Sequence, residues 1–502
     1  NIDRPEQENV GLIGVAVNSQ FANLNITNAN ISGAAYVGAL SGMLIQNNES
    51  LSIYDVNISG EIVATAALSG GITGNIDSKA DISMVDSSFE GKVTGGDYTG
   101  GLVGLLSTDG GKVRMFNTSA GVEASTSIEN DYIGGLVGFM GIQGMGNTVD
   151  ISQSHVTGLI NGGDLYAGGI VGKIQSQSDI LVTDSSFDGA VSGIIYAGGV
   201  SGFLTTDGGD IQILNISGNV DIQAKGHIGG VAGFVNAESE DSNVSISNTH
   251  IIGSIKSSDS YPYVGGLVGF LVGSNQYLYK NSFEGGIIGS VFVGGIAGKV
   301  AGADAVIEIS ENIVYGSIGW INEEHGARIV GGLIGESAGY STNIDDSHTT
   351  INISIDPQLE FAGGIIGRVE SGSEFTSLNN VSASGYIEIK GGGSHIAGIA
   401  GSVNGELRSG NSDAKVDISI DGYGRYIGGF GGFFTGEVSE SYSTGDIKVF
   451  DWGYCVGGFG GYVNANFSSS YSTGNVEISV SEDNTTYIGG FVGMDGGGVY
   501  MD

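Results

Sequence analysis

One cysteine, three prolines and seventeen basic residues in 502 positions set the first limits on this chain. The single Cys455 excludes an internal disulfide framework and any cysteine-built metal cage. Such poverty fits a reducing cytoplasm or a bacterial cell surface equally. Three prolines beside 93 glycines exclude collagen, whose triplet needs both residues. Seventeen Lys and Arg against 54 Asp and Glu leave a formal charge of −37. A chain so short of basic surface cannot displace phosphate counterions, which excludes nucleic-acid binding as a main function. The same deficit disfavours anionic membrane surfaces. The uncharged run 260–279 holds Pro262, four glycines, Asn275 and Gln276, so it does not read as a membrane span.

Charged residues amount to 14%, about half the usual share, while 40% are hydrophobic and mean hydropathy is positive. Glycine at about 19% is therefore not flexible low-complexity chain but a geometric requirement. The requirement recurs as aromatic-x-Gly-Gly-apolar-x-Gly. Tyr98 opens one copy through Gly100, Gly101 and Gly104; Tyr132 opens another through Gly134, Gly135 and Gly138. Tyr166 opens a third through Gly168, Gly169 and Gly172. Further copies start at Tyr196, His227, Tyr263, Phe292, Phe361, Tyr426 and Tyr487, and weaker ones at Tyr36, Leu68, Ile329, His395 and Cys455. From Tyr36 to Tyr487, 451 residues hold fourteen steps, a period of about 32 that marks a repeat architecture.

A second element lies between these motifs, as in Ser88-Phe89-Glu90-Gly91, Ser186-Phe187-Asp188-Gly189 and Ser282-Phe283-Glu284-Gly285. Ser441-Tyr442-Ser443-Thr444-Gly445 and the copy from Ser470 to Gly474 read as its late forms. Around it run stretches of period-two alternation, such as Val416 to Ile420, which predict strands. No stretch shows a capped 3.6-residue period. About three short strands per period, repeated some fifteen times, predict a right-handed parallel β-helix, a β-solenoid whose equivalent residues stack in columns. Residues 1–10 read as a lead-in and 11–502 as one continuous solenoid. Leu102 and Leu106 point inward. The column of Leu105 also holds Lys173, Lys299 and Arg368, so it is expected to face solvent. The paired glycines can take positive φ and admit a close backbone approach, and so either let the chain bend sharply at one corner of every coil or leave a groove for neighbouring tyrosines to cover.

The Gly-Gly-Leu-Val-Gly core, followed by Ser-Tyr-Ser-Thr-Gly, resembles the GLUG-motif repeats of bacterial surface proteins. These occur in large adhesins in the style of filamentous haemagglutinin and beside some IgA-cleaving metalloproteases. The resemblance covers residues 11–493. It implies an extracellular parallel solenoid and carries over no catalytic residue.

Candidate chemistry is sparse. The six histidines form no His-Glu-x-x-His pair. His227 and His395 take the aromatic slot of the repeat, and His155 and His250 the apolar slot of the second element. Glu323, Glu324 and His325 read as a solvated loop. No nucleophile elbow with a triad is present. The acidic turns at Asp109 and at Asp207 to Asp210 offer oxygen ligands, which makes Asp109, Asp207 and Asp210 the candidate calcium residues. Trp320 and Trp452 are candidates for stacking on a ligand, with packing on a neighbouring coil as the plainer role. No other cofactor is implied.

Repeat pattern begins by residue 11 and still runs at Gly493, without a capping helix. The chain thus reads as a piece of a longer protein or as a unit stacking end to end. The expectation is a non-enzymatic extracellular rod of about 70 Å, given ~4.8 Å per coil. It would serve as a cell-surface adhesin or matrix stalk. Its partners would be copies of itself, flanking domains of a larger surface protein, or a host or matrix glycan or protein. The alternatives are a self-assembling filament or sheath subunit and a carbohydrate-active β-helix enzyme.

Overall fold

A computed structural model describes residues 1–126, 131–162, 165–258, 262–302, 304–319, 328–356, 359–370, 373–479, 487–497 and 500–501. Contacts divide the chain into two compact units, Asn1–Gly253 and Ser254–Asp502. Each is an all-β parallel solenoid, and no helix occurs among the described residues. Among the described residues no helix is long and apolar enough to cross a membrane.

One coil of the first unit consists of strands Tyr98–Gly100, Val103–Asp109, Val113–Phe116 and Ser119–Thr126. Each strand pairs in parallel with its equivalents in the coils on both sides. Tyr98 faces Leu68 and Tyr132, Val103 faces Thr73 and Val137, and Val113 faces Ile82 and Val149. The second unit repeats the plan, for example in Phe292–Gly294, Ala297–Ala301, Val306–Ser310 and Ile313–Gly319. The coil therefore has four strands rather than three. The additional one is the aromatic-x-Gly segment itself, too short for alternation to reveal. Residues 1–10 are not a lead-in either: Ile2–Val10 is a strand of the first unit, pairing Ile2 with Ile31 and Val10 with Val37.

Alternation decides the core. Val113, Met115, Val149, Ile151, Ile180 and Val182 are buried and stack along their columns, while Arg114, Asp150 and Leu181 between them are not. Full burial of such side chains contributes roughly 1.5–3 kcal/mol each, before conformational entropy is set against it. Leu102 and Leu106 point inward as expected, and Val103 joins them.

The corner before the last strand is polar inside. Asp86, Asn117, Gln153 and Asp184 turn the chain there with φ near +50°, a conformation that Asn and Asp tolerate best among residues with a side chain. The next residue then supplies a buried hydroxyl. Ser87 Oγ accepts the Val56 N–H at 3.2 Å and donates to the Val85 carbonyl at 2.9 Å. Ser185 Oγ does the same for Ser154 N–H and the Thr183 carbonyl, at 3.0 and 2.7 Å. In the second unit Ser441 Oγ accepts from Ser412 N–H at 3.2 Å and donates to the Ser439 carbonyl. Side-chain oxygen thus satisfies amides that the bend takes out of the ladder.

This corner corrects the reading of the second element. Asp413 pairs with Tyr442, so Ser441 stacks in the corner column of Ser412, one position before the column of Ser88 and Ser186. His155 and His250 likewise do not fill the apolar slot. His155 pairs with Ser119 and Ser186 and is exposed, as is His250, and Val156 and Ile251 take the buried positions. The spacing to glycine was the misleading signal, because the corner serine lies beside the strand serine.

The paired glycines admit a close backbone approach rather than a bend through positive φ. Gly100 and Gly101 lack positive φ. A Cβ on Gly101 would lie 2.0 Å from the carbonyl oxygen of Gly135 in the next coil. Among the repeated glycines, positive φ belongs instead to the second element, where Gly91 has φ 145°.

Candidate functional site

Two outward columns on each unit carry chemistry, and both follow from the glycine motif. The first is the aromatic slot. In the first unit the rings of Tyr98, Tyr132, Tyr166 and Tyr196 stack at 4.9, 4.9 and 5.2 Å between centroids, and His227 meets Tyr196 edge-on at 5.1 Å. Packing and neighbouring phenols push Tyr166 up to about 12. Burial pushes His227 down to about 4, and His395 of the second unit likewise, with the Arg425 and Arg368 charges adding to the effect. Both histidines substitute for a ring and are neutral at pH 7.

The second column lies seven residues further along each coil. It does not face solvent freely, as a lysine-bearing column was expected to. Lys173 Nζ is held 5.0 Å from the Tyr166 ring centre, 5.1 Å from Phe203 and 5.8 Å from Phe139. In the second unit Lys299 Nζ lies 2.7 Å from Glu336, which is fully buried, and Arg368 pairs with the same carboxylate from the other side. Glu370 completes the group at 3.9 Å from Lys299 and 3.7 Å from Arg368. Cations are tolerated because the ring faces are negative and the long stems are apolar. The column is half-buried, not external.

Beyond these columns the first unit opens a groove of about 680 Å³. It lies on the strands that follow the glycine motif, from Thr73–Ser78 through Val103–Asp109, Val137–Gln143, Val171–Ser176 and Ser201–Thr206 to Ala232–Ala237. Register places Asp77, Ser107, Gly141, Gln175 and Thr205 in one line across the coils. Two residues on, Asp109 and Gln143 head a second line, continued by Gln177, Asp207 and Glu238. Gly141 leaves a gap in the first line, and the Phe139 ring leans over it: a Cβ there would be 2.9 Å from a ring carbon. Gln177 Oε1 accepts the Gly144 N–H at 2.8 Å, and Thr205 Oγ1 donates to Glu238 at 3.3 Å. Gln143 and Gln175 are exposed, and their amides bond no group among the described residues.

The candidate calcium residues are brought into this region but not to one point. Asp109 and Asp207 line the same groove three coils apart, about 14 Å at the spacing of paired strands, beyond the reach of a single ion. Asp210 is turned to another task, its Oδ1 accepting the Asn243 N–H at 2.8 Å and its side-chain amide at 3.1 Å. Among the described residues no three acidic, histidine or cysteine groups converge on a metal position. Trp452 is half-buried and packs 5.9 Å from Tyr454. Trp320, Glu323, Glu324 and His325 lie outside the described residues. Cys455 is buried in an aromatic slot, where burial pushes its thiol up to about 11, and the ring comes from Tyr454 beside it.

Sequence reading missed the groove. Its signal was the alternate positions after the glycine motif, where Ser107, Gly141, Gln175 and Thr205 align once the copies are stacked. No family model matches the chain, no curated protein matches its sequence, and no solved structure matches its fold.

Proposed function

We propose that this chain is a non-enzymatic structural and adhesive segment of an extracellular bacterial surface protein, in the manner of the GLUG-motif adhesins its repeats resemble. The observation that carries the reading is the unbroken parallel ladder within each unit, where each strand of a coil is hydrogen-bonded to its equivalents in the neighbouring coils. Such stacking converts sequence length into stiffness, since each coil contacts only its neighbours. Burial of the Gly-Gly motif against the next coil's backbone favours a load-bearing role over a deformable one. The acidic surface keeps such a segment soluble and repels anionic cell coats that are not its target.

The test is electron microscopy of the purified full chain, paired with adhesion of cells displaying it. Straight, elongated particles and a gain of adhesion are the expected results. Compact particles would overturn the stalk role. Turnover of a polysaccharide by the purified chain would overturn the non-enzymatic one.

A further inference from the structure

We infer that the groove on the first unit is a binding site for a neutral polysaccharide, an inference that rests on the adhesive reading above. Its layout is the argument. The groove crosses six strands, from the one carrying Asp77 to the one preceding Glu238. Five steps of inter-strand spacing make it about 24 Å long, room for several sugar units in an extended chain. The side chains that line its middle are uncharged. Ser107, Gln143, Gln175, Gln177 and Thr205 present hydroxyls and amides, which both donate and accept as sugar hydroxyls do.

Two of those amides, Gln143 and Gln175, point into water from rigid paired strands and are committed to no bond within the described chain. A ligand that bonds them displaces only water. The gap at Gly141 adds what a purely polar trough lacks. It exposes the Phe139 ring as an apolar face within the groove, and a pyranose ring carries a matching C–H face. The ring is itself held edge-on by Tyr132 at 5.3 Å, so it is pre-set rather than recruited.

Charge selects among glycans. Carboxylates stand toward the ends, Asp77 and Asp109 at one and Asp207 and Glu238 at the other. They repel uronic and sulfated chains and accept hydrogen bonds from uncharged hydroxyls. A basic peptide would want those carboxylates at the centre, where the amides are. A peptide strand cannot add to the ladder either, because the strands beneath the middle of the groove are already paired along both edges.

The experiment is an array of neutral, uronic and sulfated glycans probed with the full chain, followed by calorimetry with the best neutral oligosaccharide. Neutral glycans should be retained. The double variant Gln143→Ala/Gln175→Ala should weaken binding about tenfold or more, the worth of one or two lost hydrogen bonds. Gly141→Gln should abolish it by filling the gap, since only a movable ring end stands near the new Cβ. Glu437→Ala, on a groove of the second unit, should leave it unchanged, and thermal melts confirm that each variant folds. Preference for acidic glycans, retention of basic peptides alone, or no glycan bound would each overturn the inference. So would neutral binding that both groove variants leave intact. Elongated particles that bind no glycan would sink this site and spare the stalk, and compact particles that bind glycan would do the reverse.

Discussion

The same two columns run through both units with opposite chemistry in the middle. In the first unit the coils from Tyr98 to His227 each place a ring in the aromatic slot, and Phe139, Lys173, Phe203 and Phe234 stand seven residues on. In the second unit three successive coils put Lys299, Glu336 and Arg368 in that second column. The difference obeys a rule. Each cation sits over the ring of its own coil: Lys173 over Tyr166, Lys299 over Phe292 at 5.3 Å and Arg368 over Phe361 at 5.1 Å. The carboxylate sits in the coil whose aromatic slot holds Ile329 instead of a ring. A ring face attracts a cation and repels an anion, so the acid can stack only where the ring is missing. The middle of the second unit therefore solves with alternating charge a packing problem that the first unit solves with rings, as the second unit does on either side at Phe270 and Phe433.

The sharpest way to break the comparison is Glu336→Ala. It leaves the half-covered Lys299 and Arg368 with only the more exposed Glu370 as counter-charge, and should cost about 3 kcal/mol. That is the low end for a broken buried pair, because both cations keep some water. Urea unfolding gives the number. The triple variant Lys299→Met/Glu336→Leu/Arg368→Met should recover the loss to within about 1 kcal/mol of the parent or exceed it, as buried ion groups replaced by apolar ones often do. If the triple is as weak as the single variant, charge is required there and the two solutions are not interchangeable.

Acid tests each stack at its histidine. His227 and His395 sit near 4 in the folded chain against 6.5 when unfolded. Their contribution is complete above pH 6.5. It falls as pH drops from about 6.5 toward 4, because the unfolded chain takes up a proton that the native stack refuses, and it levels off below. The loss should be on the order of 2 kcal/mol per histidine at most, discounted from the full shift because neither ring is wholly buried. His227→Phe and His395→Tyr should each flatten the pH 7 to pH 5 drop in stability. Tyrosine suits position 395 because Tyr426 holds the same positive φ in the next coil. An unchanged drop would place the acid sensitivity among the carboxylates instead.

Much of this was legible in the residues. The period, the parallel stacking and the inward parity of Leu102 and Leu106 follow from glycine spacing and alternation, which are local and repeat in every copy. The seven-residue step from Tyr166 to Lys173 or Phe292 to Lys299 was equally visible. What it meant was not, since a lysine reads as exposed until the rings beside it are placed. The corner serines were misaligned because two adjacent columns both carry serine, and only strand pairing separates Ser87 from Ser88. The groove was hidden for another reason. It is made by residues about 30 apart that touch through no shared motif, and its key position, Gly141, resembles dozens of other glycines.

Lys173 offers the finest discrimination between the units. It is the cation between the rings of Phe139 and Phe203, and desolvation by the surrounding rings lowers its pKa despite the Glu238 charge. If the first unit is held together by ring packing, the ammonium adds little beyond its stem. Lys173→Met keeps the stem and removes the charge, so it should change stability by less than about 1 kcal/mol, the lost cation–π attraction offset by the relief of desolvation. The same exchange at Lys299 strips the buried Glu336 of one of its two cations and should cost more. Equal losses at the two positions would mean that charge, not ring area, sets the strength of both columns. A loss at position 299 alone would confirm that one repeat carries two distinct ways of binding coil to coil.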